Sequence, residues 1–308
     1  MKILLISGFL GAGKTTFIKE LIKRTDTKPI ILENEYGDNN LDSVELKKET
    51  KSQKDIKVLE FMEGCVCCTM KDSFVNSVFT VFSSLSPEYL IIEPTGVGKL
   101  SNIINNLKPL FTDAVSLLNP VVVLSPDNYD VNSRQWPDLY KDQIANAKVV
   151  VLSKCENTPA GIIADVTSKI RKLNPAAEIL DTHYLNKETA WWNSLMEIES
   201  KDLSAKEIES ESVSSFSQVS VSKAGLHNIY ELIQFLEDCL HSEFGLVARA
   251  KGTLWVDTEF VRFDLADNKY IISGSDDDTC QCVIIGQNLD EKNIKKALCP
   301  TKKSSQII

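Results

Sequence analysis

The chain has 308 residues, enough for one large domain or two ordinary ones. Acidic residues outnumber basic ones 43 to 34, and the net charge of −9 speaks against a nucleic-acid partner held by general electrostatics. No apolar run is long enough to span a bilayer, so no membrane partner is expected.

In chain order, the first element is an apolar run of strand length that leads into Gly8-x-x-x-x-Gly13-Lys14-Thr15, with helical spacing behind it from Thr15 to Arg24. This is the Walker A pattern in the strand–loop–helix context it requires. Glycines let the backbone wrap a phosphate so that successive N–H groups form an anion nest, and the following helix adds the positive end of its dipole. The candidate phosphate-binding residues are Gly8, Gly11, Ala12, Gly13, Lys14, Thr15 and Thr16. Lys14 can reach the β- and γ-phosphates, and the Thr15 hydroxyl suits Mg²⁺. The same opening also resembles a secretory leader. Lys14 would interrupt a leader's apolar core, so the phosphate-loop reading is preferred.

Lys28–Leu32 reads as a second strand running into a polar, acidic loop from Glu33 to Asp42. Ile56–Phe61 alternates at period two and ends at Glu63-Gly64-Cys65-Val66-Cys67-Cys68. Met70–Leu85 has helical spacing, with Phe74, Val78, Phe82 and Leu85 on one face. Tyr89–Ile92 is a short buried-type strand closed by Glu93-Pro94-Thr95-Gly96. Val121–Leu124 and Val149–Leu152 are two more, with a helix between them at Leu139–Ala147, then a helix at Ile162–Leu173 and a strand at Glu178–Leu180. Continuous apolar strands alternating with helices imply an α/β fold, a mainly parallel sheet with helices on both faces. Ligands of such sheets sit at the carboxyl ends of the strands, where each motif here falls.

Residues 1–196 are therefore expected to form a P-loop domain, followed by an acidic, serine-rich linker at 197–214. Residues 215–299 read as a smaller α+β domain: a strand from Phe216, a helix at Leu226–Leu240, four strands within 252–285 and a closing helix at Leu289–Leu298. Residues 300–308 form a polar tail.

Three stretches carry further chemistry. Glu93 at a strand end suits a role in holding Mg²⁺ or orienting water, and the Gly96 N–H can approach a γ-phosphate because no Cβ intervenes. Lys14, Glu93 and Gly96 are the catalytic candidates. Ser153-Lys154-Cys155-Glu156 stands where a GTPase carries Asn-Lys-x-Asp. A carboxylate at Glu156 can accept from guanine N1–H and N2–H, and Lys154 can lie across the base. With Ser153 in place of asparagine, the amide that would brace the loop is lost. Cys65, Cys67 and Cys68 put three soft ligands within four residues, suited to Zn²⁺ or another thiophilic ion. Glu33 and Asp38 are the acidic candidates to complete that site. Cys65 and Cys68 also have redox-pair spacing, which stays open. Scattered thiols such as Cys155 and Cys239 read as inert core residues, and Cys280-Gln281-Cys282 as part of a strand. The pattern is that of reduced thiols in a cytoplasmic protein.

Gly8–Thr16, Glu33-Asn34-Glu35-Tyr36-Gly37, Gly64–Cys68 and Glu93–Gly96 together resemble the CobW family of P-loop GTPases, whose hallmark is Cys-x-Cys-Cys. Arg249–Trp255 and Val283–Asp290 resemble the signatures of its C-terminal domain. The resemblance implies a GTP-dependent metallochaperone using GTP/GDP, Mg²⁺ and Zn²⁺ or Co²⁺, with a client metalloprotein as partner. It also implies metal ligation by Cys65, Cys67, Cys68 and carboxylates at Glu33 and Asp38. A homodimer is one arrangement the sequence allows. The rival readings are a nucleotide-switched adaptor without metal cargo and an ATP-using P-loop kinase.

Overall fold

The computed structural model describes residues 1–36, 57–63, 71–201, 204–206, 216–277 and 279–299. The chain splits into two compact units, with a boundary between Val213 and Ser214.

In the larger unit the elements are β1 (Lys2–Ser7), α1 (Lys14–Arg24), β2 (Ile30–Tyr36), β3 (Lys57–Glu63), α2 (Lys71–Leu85), β4 (Tyr89–Glu93), α3 (Leu100–Leu107), β5 (Ser116–Leu117), β6 (Val121–Leu124), α4 (Tyr129–Gln135), α5 (Pro137–Asn146), β7 (Val149–Leu152), α6 (Ala160–Leu173), β8 (Glu178–Leu180) and α7 (Thr189–Glu197). The sheet order is β3-β2-β4-β1-β6-β7-β8, with β5 beside β1. Six of its pairings, β1 with β4, β5 and β6, β2 with β4, β6 with β7 and β7 with β8, are parallel.

The continuous apolar runs are explained by burial on both faces. Leu4 and Ile6 point one way, Ile3 and Leu5 the other, and all four are fully buried. One face is organised by Phe17 of α1. Its ring packs 5.3 Å from Trp192 of α7 and edge-on, also at 5.3 Å, to Tyr184. Helices α3, α4 and α7 lie outside the expected elements, although Leu100, Ile103, Ile104 and Leu107 of α3 and Trp191, Trp192, Leu195 and Met196 of α7 recur at helical spacing. Asn-rich α3 has weak intrinsic propensity and is fixed by tertiary contacts. Its Ser101 N–H and hydroxyl both donate to Asp142 of α5, and burial pushes the Asp142 carboxyl above its ordinary pKa.

Three expectations are revised. First, β2 runs to Tyr36, so Glu33, Asn34 and Glu35 lie on a strand and not in a loop. The ladder to β4 continues as far as Glu33 beside Glu93, and backbone pairing is indifferent to the acidic side chains. Second, Leu85 is exposed, and Val81 takes its place on the buried face of α2 with Phe74 and Val78. Third, the acidic stretch after residue 196 is not free of the sheet at its start. Ser200 N–H donates to Leu117, Asn119 N–H donates to Ile198, and Asn146 holds both backbone groups of Lys206.

The smaller unit contains β9 (Phe216–Ser222), β10 (Gly225–Leu226), α8 (Ile229–Leu240), β11 (Leu246–Val256), β12 (Glu259–Ala266), β13 (Lys269–Gly274), β14 (Gln281–Gln287) and α9 (Glu291–Leu298). Its sheet order is β13-β12-β11-β14-β9, antiparallel throughout that path, with β10 beside β11. Alternate residues such as Leu254, Val261, Phe263 and Ile284 meet Leu232, Phe235 and Leu236 of α8 in one core. The closing helix starts at Glu291 because the Asp290 carboxylate accepts from Asn293 N–H and caps it. Among the described residues, no helix is long and apolar enough to cross a membrane.

Trp192 is fully buried against Phe17, Tyr184 and Trp191. Trp192→Ala is expected to lower stability by about 3–5 kcal/mol, measured by urea denaturation. A loss under about 1 kcal/mol would show that this cluster does not hold α7 on α1.

Candidate functional site

The site forms where the carboxyl ends of β1, β4 and β6 meet the start of α1. Strand order reverses about β1, which opens a crevice there. The loop after β1 requires glycine at position 8. Its φ is +140°, and a Cβ would sit 2.2 Å from the Val123 carbonyl oxygen of β6. Lys14, only 7% exposed, folds back so that Nζ donates to the Phe9 carbonyl at 3.3 Å and lies 3.9 Å from the Glu93 carboxylate.

Register brings the second acidic motif under the loop. Leu5 pairs with Ile92, which places Glu93 at the level of the turn out of β1. The Thr15 hydroxyl lies 3.1 Å from each Glu93 carboxylate oxygen, and its one proton is shared between them. A hydroxyl and a carboxylate this close are the donor set that Mg²⁺ accepts while keeping most of its waters. Glu33, itself buried, lies in register with Glu93 on the adjacent strand. The strand that carries a candidate metal ligand is thus the neighbour of the one that carries the candidate Mg²⁺ ligand.

After Glu93 the chain passes directly over the phosphate loop. A Cβ on Gly96 would lie 2.5 Å from Leu10 N, so only glycine permits this approach. Buried Gln143 of α5 holds the same turn, its Nε2 donating to the Gly98 carbonyl at 3.1 Å and to Gly96 at 3.4 Å. Nothing in the local sequence marks Gln143. Its role depends on α5 packing beside α3.

The base-binding candidates follow β7. Ser153 is buried, and its Oγ lies 2.5 Å from the Ala12 carbonyl and 3.2 Å from that of Leu124. The brace expected to be lost with the asparagine amide is therefore supplied by a hydroxyl, which ties the base loop to the phosphate loop. Lys154 takes a left-handed conformation at φ +54° and is exposed. Cys155 is buried, and desolvation raises its thiol pKa. Glu156 is exposed. Its own backbone N–H holds its carboxyl below the ordinary range, against the opposing effect of burial, and the His183 ring adds to the lowering. His183 stands in the sequence as a lone histidine, with no motif that links it to Glu156.

Lys14, Thr15, Glu93 and Gly96 are thus brought together, and Ser153 is joined to their loop. Thr16 is an exposed residue of α1. Asp38, Cys65, Cys67 and Cys68 lie outside the described residues, so among the described residues only Glu33 of the candidate metal set has a position. Cys239 and Cys282 behave as core groups, burial pushing Cys239 up to about 12 and raising Cys282 as well, whereas Cys280 is half-buried and Cys299 exposed.

Comparison with known proteins adds three findings. The family model for the CobW/HypB/UreG nucleotide-binding domain matches residues 2–181, and that for the cobalamin synthesis protein cobW C-terminal domain matches 216–300. Zinc chaperone YeiR of Escherichia coli (strain K12) is 31% identical over 157 residues, covering 50% of this chain and 46% of that protein. Zinc-regulated GTPase metalloprotein activator 1 of Dictyostelium discoideum is 26% identical over 213 residues, covering 57% of this chain and 44% of that protein. The matched stretches span about half the length of these relatives. Among solved structures, Zn(II)-bound YjiA GTPase from E. coli aligns over 96% of this chain and 97% of that one, at 17% identity and a TM-score of 0.46.

Gly96→Ala should cost about 1–3 kcal/mol, because the added methyl overpacks against Leu10. Gly161→Ala is the contrasting case: it meets open space in α6, and it should stabilise by about 0.4–1 kcal/mol. Thermal or urea unfolding of both variants checks the pair. Equal effects would contradict the close approach at Gly96.

Proposed function

This chain belongs to the CobW/HypB/UreG family, and from that premise we propose that it is a Mg²⁺-dependent GTPase that couples GTP binding and hydrolysis to the delivery of Zn²⁺ or Co²⁺ to a client metalloprotein. The observation that carries the reading is the adjacency of Glu93 to two partners. It is bonded to Thr15 in the phosphate loop and stands in register with Glu33 on the strand leading toward the metal candidates.

In the proposed cycle, N–H groups of the loop at 8–16 take the phosphates and Lys14 turns from Phe9 toward the γ-phosphate. Thr15 and Glu93 would hold Mg²⁺, which when bound neutralises charge on the β- and γ-oxygens. Gly96, already against Leu10, presents its N–H to the γ-phosphate. Water attack on that phosphate yields GDP and inorganic phosphate, and the turn at 93–98 relaxes. Glu33, Asp38, Cys65, Cys67 and Cys68 form the cargo site in this reading, and movement at the ends of β2 and β4 loosens it. Names of relatives that refer to zinc favour Zn²⁺ as the cargo. Residues 1–196 would constitute the GTPase domain and 215–299 the second domain. Clustered thiols used as metal ligands require a reducing compartment, so we place the protein in the cytoplasm.

Metal binding by the reduced protein with GTP, GDP or no nucleotide, for Zn²⁺ and Co²⁺ in parallel, tests the reading. Binding should depend on nucleotide, weaken as pH falls because thiolates take up protons, and fall at least tenfold in Cys67→Ala. By linkage, metal must change GTP affinity by the same factor as GTP changes metal affinity. Metal binding indifferent to both nucleotide and Cys67 would leave a GTPase without this cargo.

A further inference from the structure

His183 lies in the loop after β8, beside the loop that carries Ser153–Glu156, because β7 and β8 pair in parallel with Val151 opposite Leu180. Three contacts fix its ring. Nδ1 accepts the Leu185 N–H at 3.2 Å. The ring stacks on that of Tyr184, with centroids 4.8 Å apart. Nε2 lies 2.6 Å from Glu156 Oε1. Tyr184 in turn packs edge-on to Phe17 of α1, so the ring rests on the core beneath the phosphate loop.

The tautomer follows from these contacts. A nitrogen that accepts a backbone N–H carries no proton, so the ring proton that faces Glu156 is on Nε2. Nε2–H therefore donates to the Glu156 carboxylate, and the short distance is that of a hydrogen bond to an ionised acceptor. The histidine side chain is largely shielded at 16% exposure, whereas that of Glu156 is open at 57%. A glutamate in the place of the usual aspartate has one more rotatable bond and a carboxylate that would sweep a wider volume. His183 removes that freedom. It engages Oε1, Glu156's own backbone N–H also bonds the carboxylate, and the lone pairs that remain are open to other donors.

We propose that His183 is a positioning residue that holds Glu156 in the orientation that reads the guanine Watson–Crick edge, and so sets the nucleotide preference of this chain. This inference rests on the guanine-nucleotide reading above. Lost orientation would weaken recognition of N1–H and N2–H while leaving phosphate binding through residues 8–16 intact. The expected signature is therefore a change in base selectivity and not a general loss of nucleotide affinity.

Competition of GDP, IDP and ADP against a fluorescent GDP analogue tests it on the full chain. IDP lacks the 2-amino group, so the GDP-to-IDP ratio isolates one of the two bonds. Two variants separate orientation from fold. His183→Asn keeps an acceptor for Leu185 N–H but withdraws the donor from Glu156. His183→Gln places an amide N–H near the position of Nε2. In His183→Asn, GDP binding should weaken about tenfold, the scale of one hydrogen bond. ADP binding should stay within about twofold and the GDP-to-IDP ratio should shrink, with His183→Gln restoring most of the loss. Unchanged GDP-to-ADP and GDP-to-IDP ratios in His183→Asn, with wild type preferring GDP, would overturn the role of His183 alone. Tighter GDP binding in that variant would show that the histidine holds Glu156 away from the base, and would also overturn it. Wild type binding ADP as well as GDP would overturn the guanine reading and this inference with it.

Discussion

The parallel pairing of β1 with β4 is the constraint on which the nucleotide end of this protein depends. With Leu5 fixed opposite Ile92, Glu93 emerges at the level of the phosphate loop and its carboxylate meets the Thr15 hydroxyl. A slip of one residue would turn every side chain of β4 to the opposite face, removing Glu93 from the loop and Ile91 from the core together. Apolar burial thus enforces the register, and the register places the polar chemistry. Two close approaches then seal the arrangement. Gly8 lies against Val123, and Gly96 lies against Leu10. At both places backbone meets backbone with no room for a methyl group.

From this centre, side chains from distant segments stitch the loops to one another. Ser153 ties the base loop to Ala12, and Gln143 ties the turn after β4 to α5. Asp142, the neighbour of Gln143, anchors the start of α3 through Ser101. These are buried bonds, so each is worth more intact than its modest net energy suggests, because breaking one strands a polar group away from water. They make the phosphate loop, the turn at 93–98 and the loop after β7 a connected set.

The smaller unit follows a different logic. Its antiparallel strands alternate between a face that packs on α8 and a second face, and its core is complete in itself. Cys239 and Cys282 belong to that core, where desolvation keeps their thiols protonated.

By itself the sequence determined what is locally encoded. Apolar runs of strand length marked the parallel strands. The spacing Gly8-x-x-x-x-Gly13-Lys14-Thr15 marked the phosphate loop, and Glu93-Pro94-Thr95-Gly96 marked the strand end beside it. In each case a short contiguous stretch must adopt one conformation to satisfy its own backbone or bury its own side chains. Only the tertiary structure decided the pairings between such stretches: Glu33 beside Glu93, the Ser153 hydroxyl in place of an amide brace, Gln143 on Gly96, His183 on Glu156, and Trp192 under Phe17. Glu156 and His183 are 27 residues apart, and no periodicity links them. They meet because β7 and β8 are adjacent strands, and strand order is fixed by burial summed over the whole sheet, a quantity that no local pattern contains.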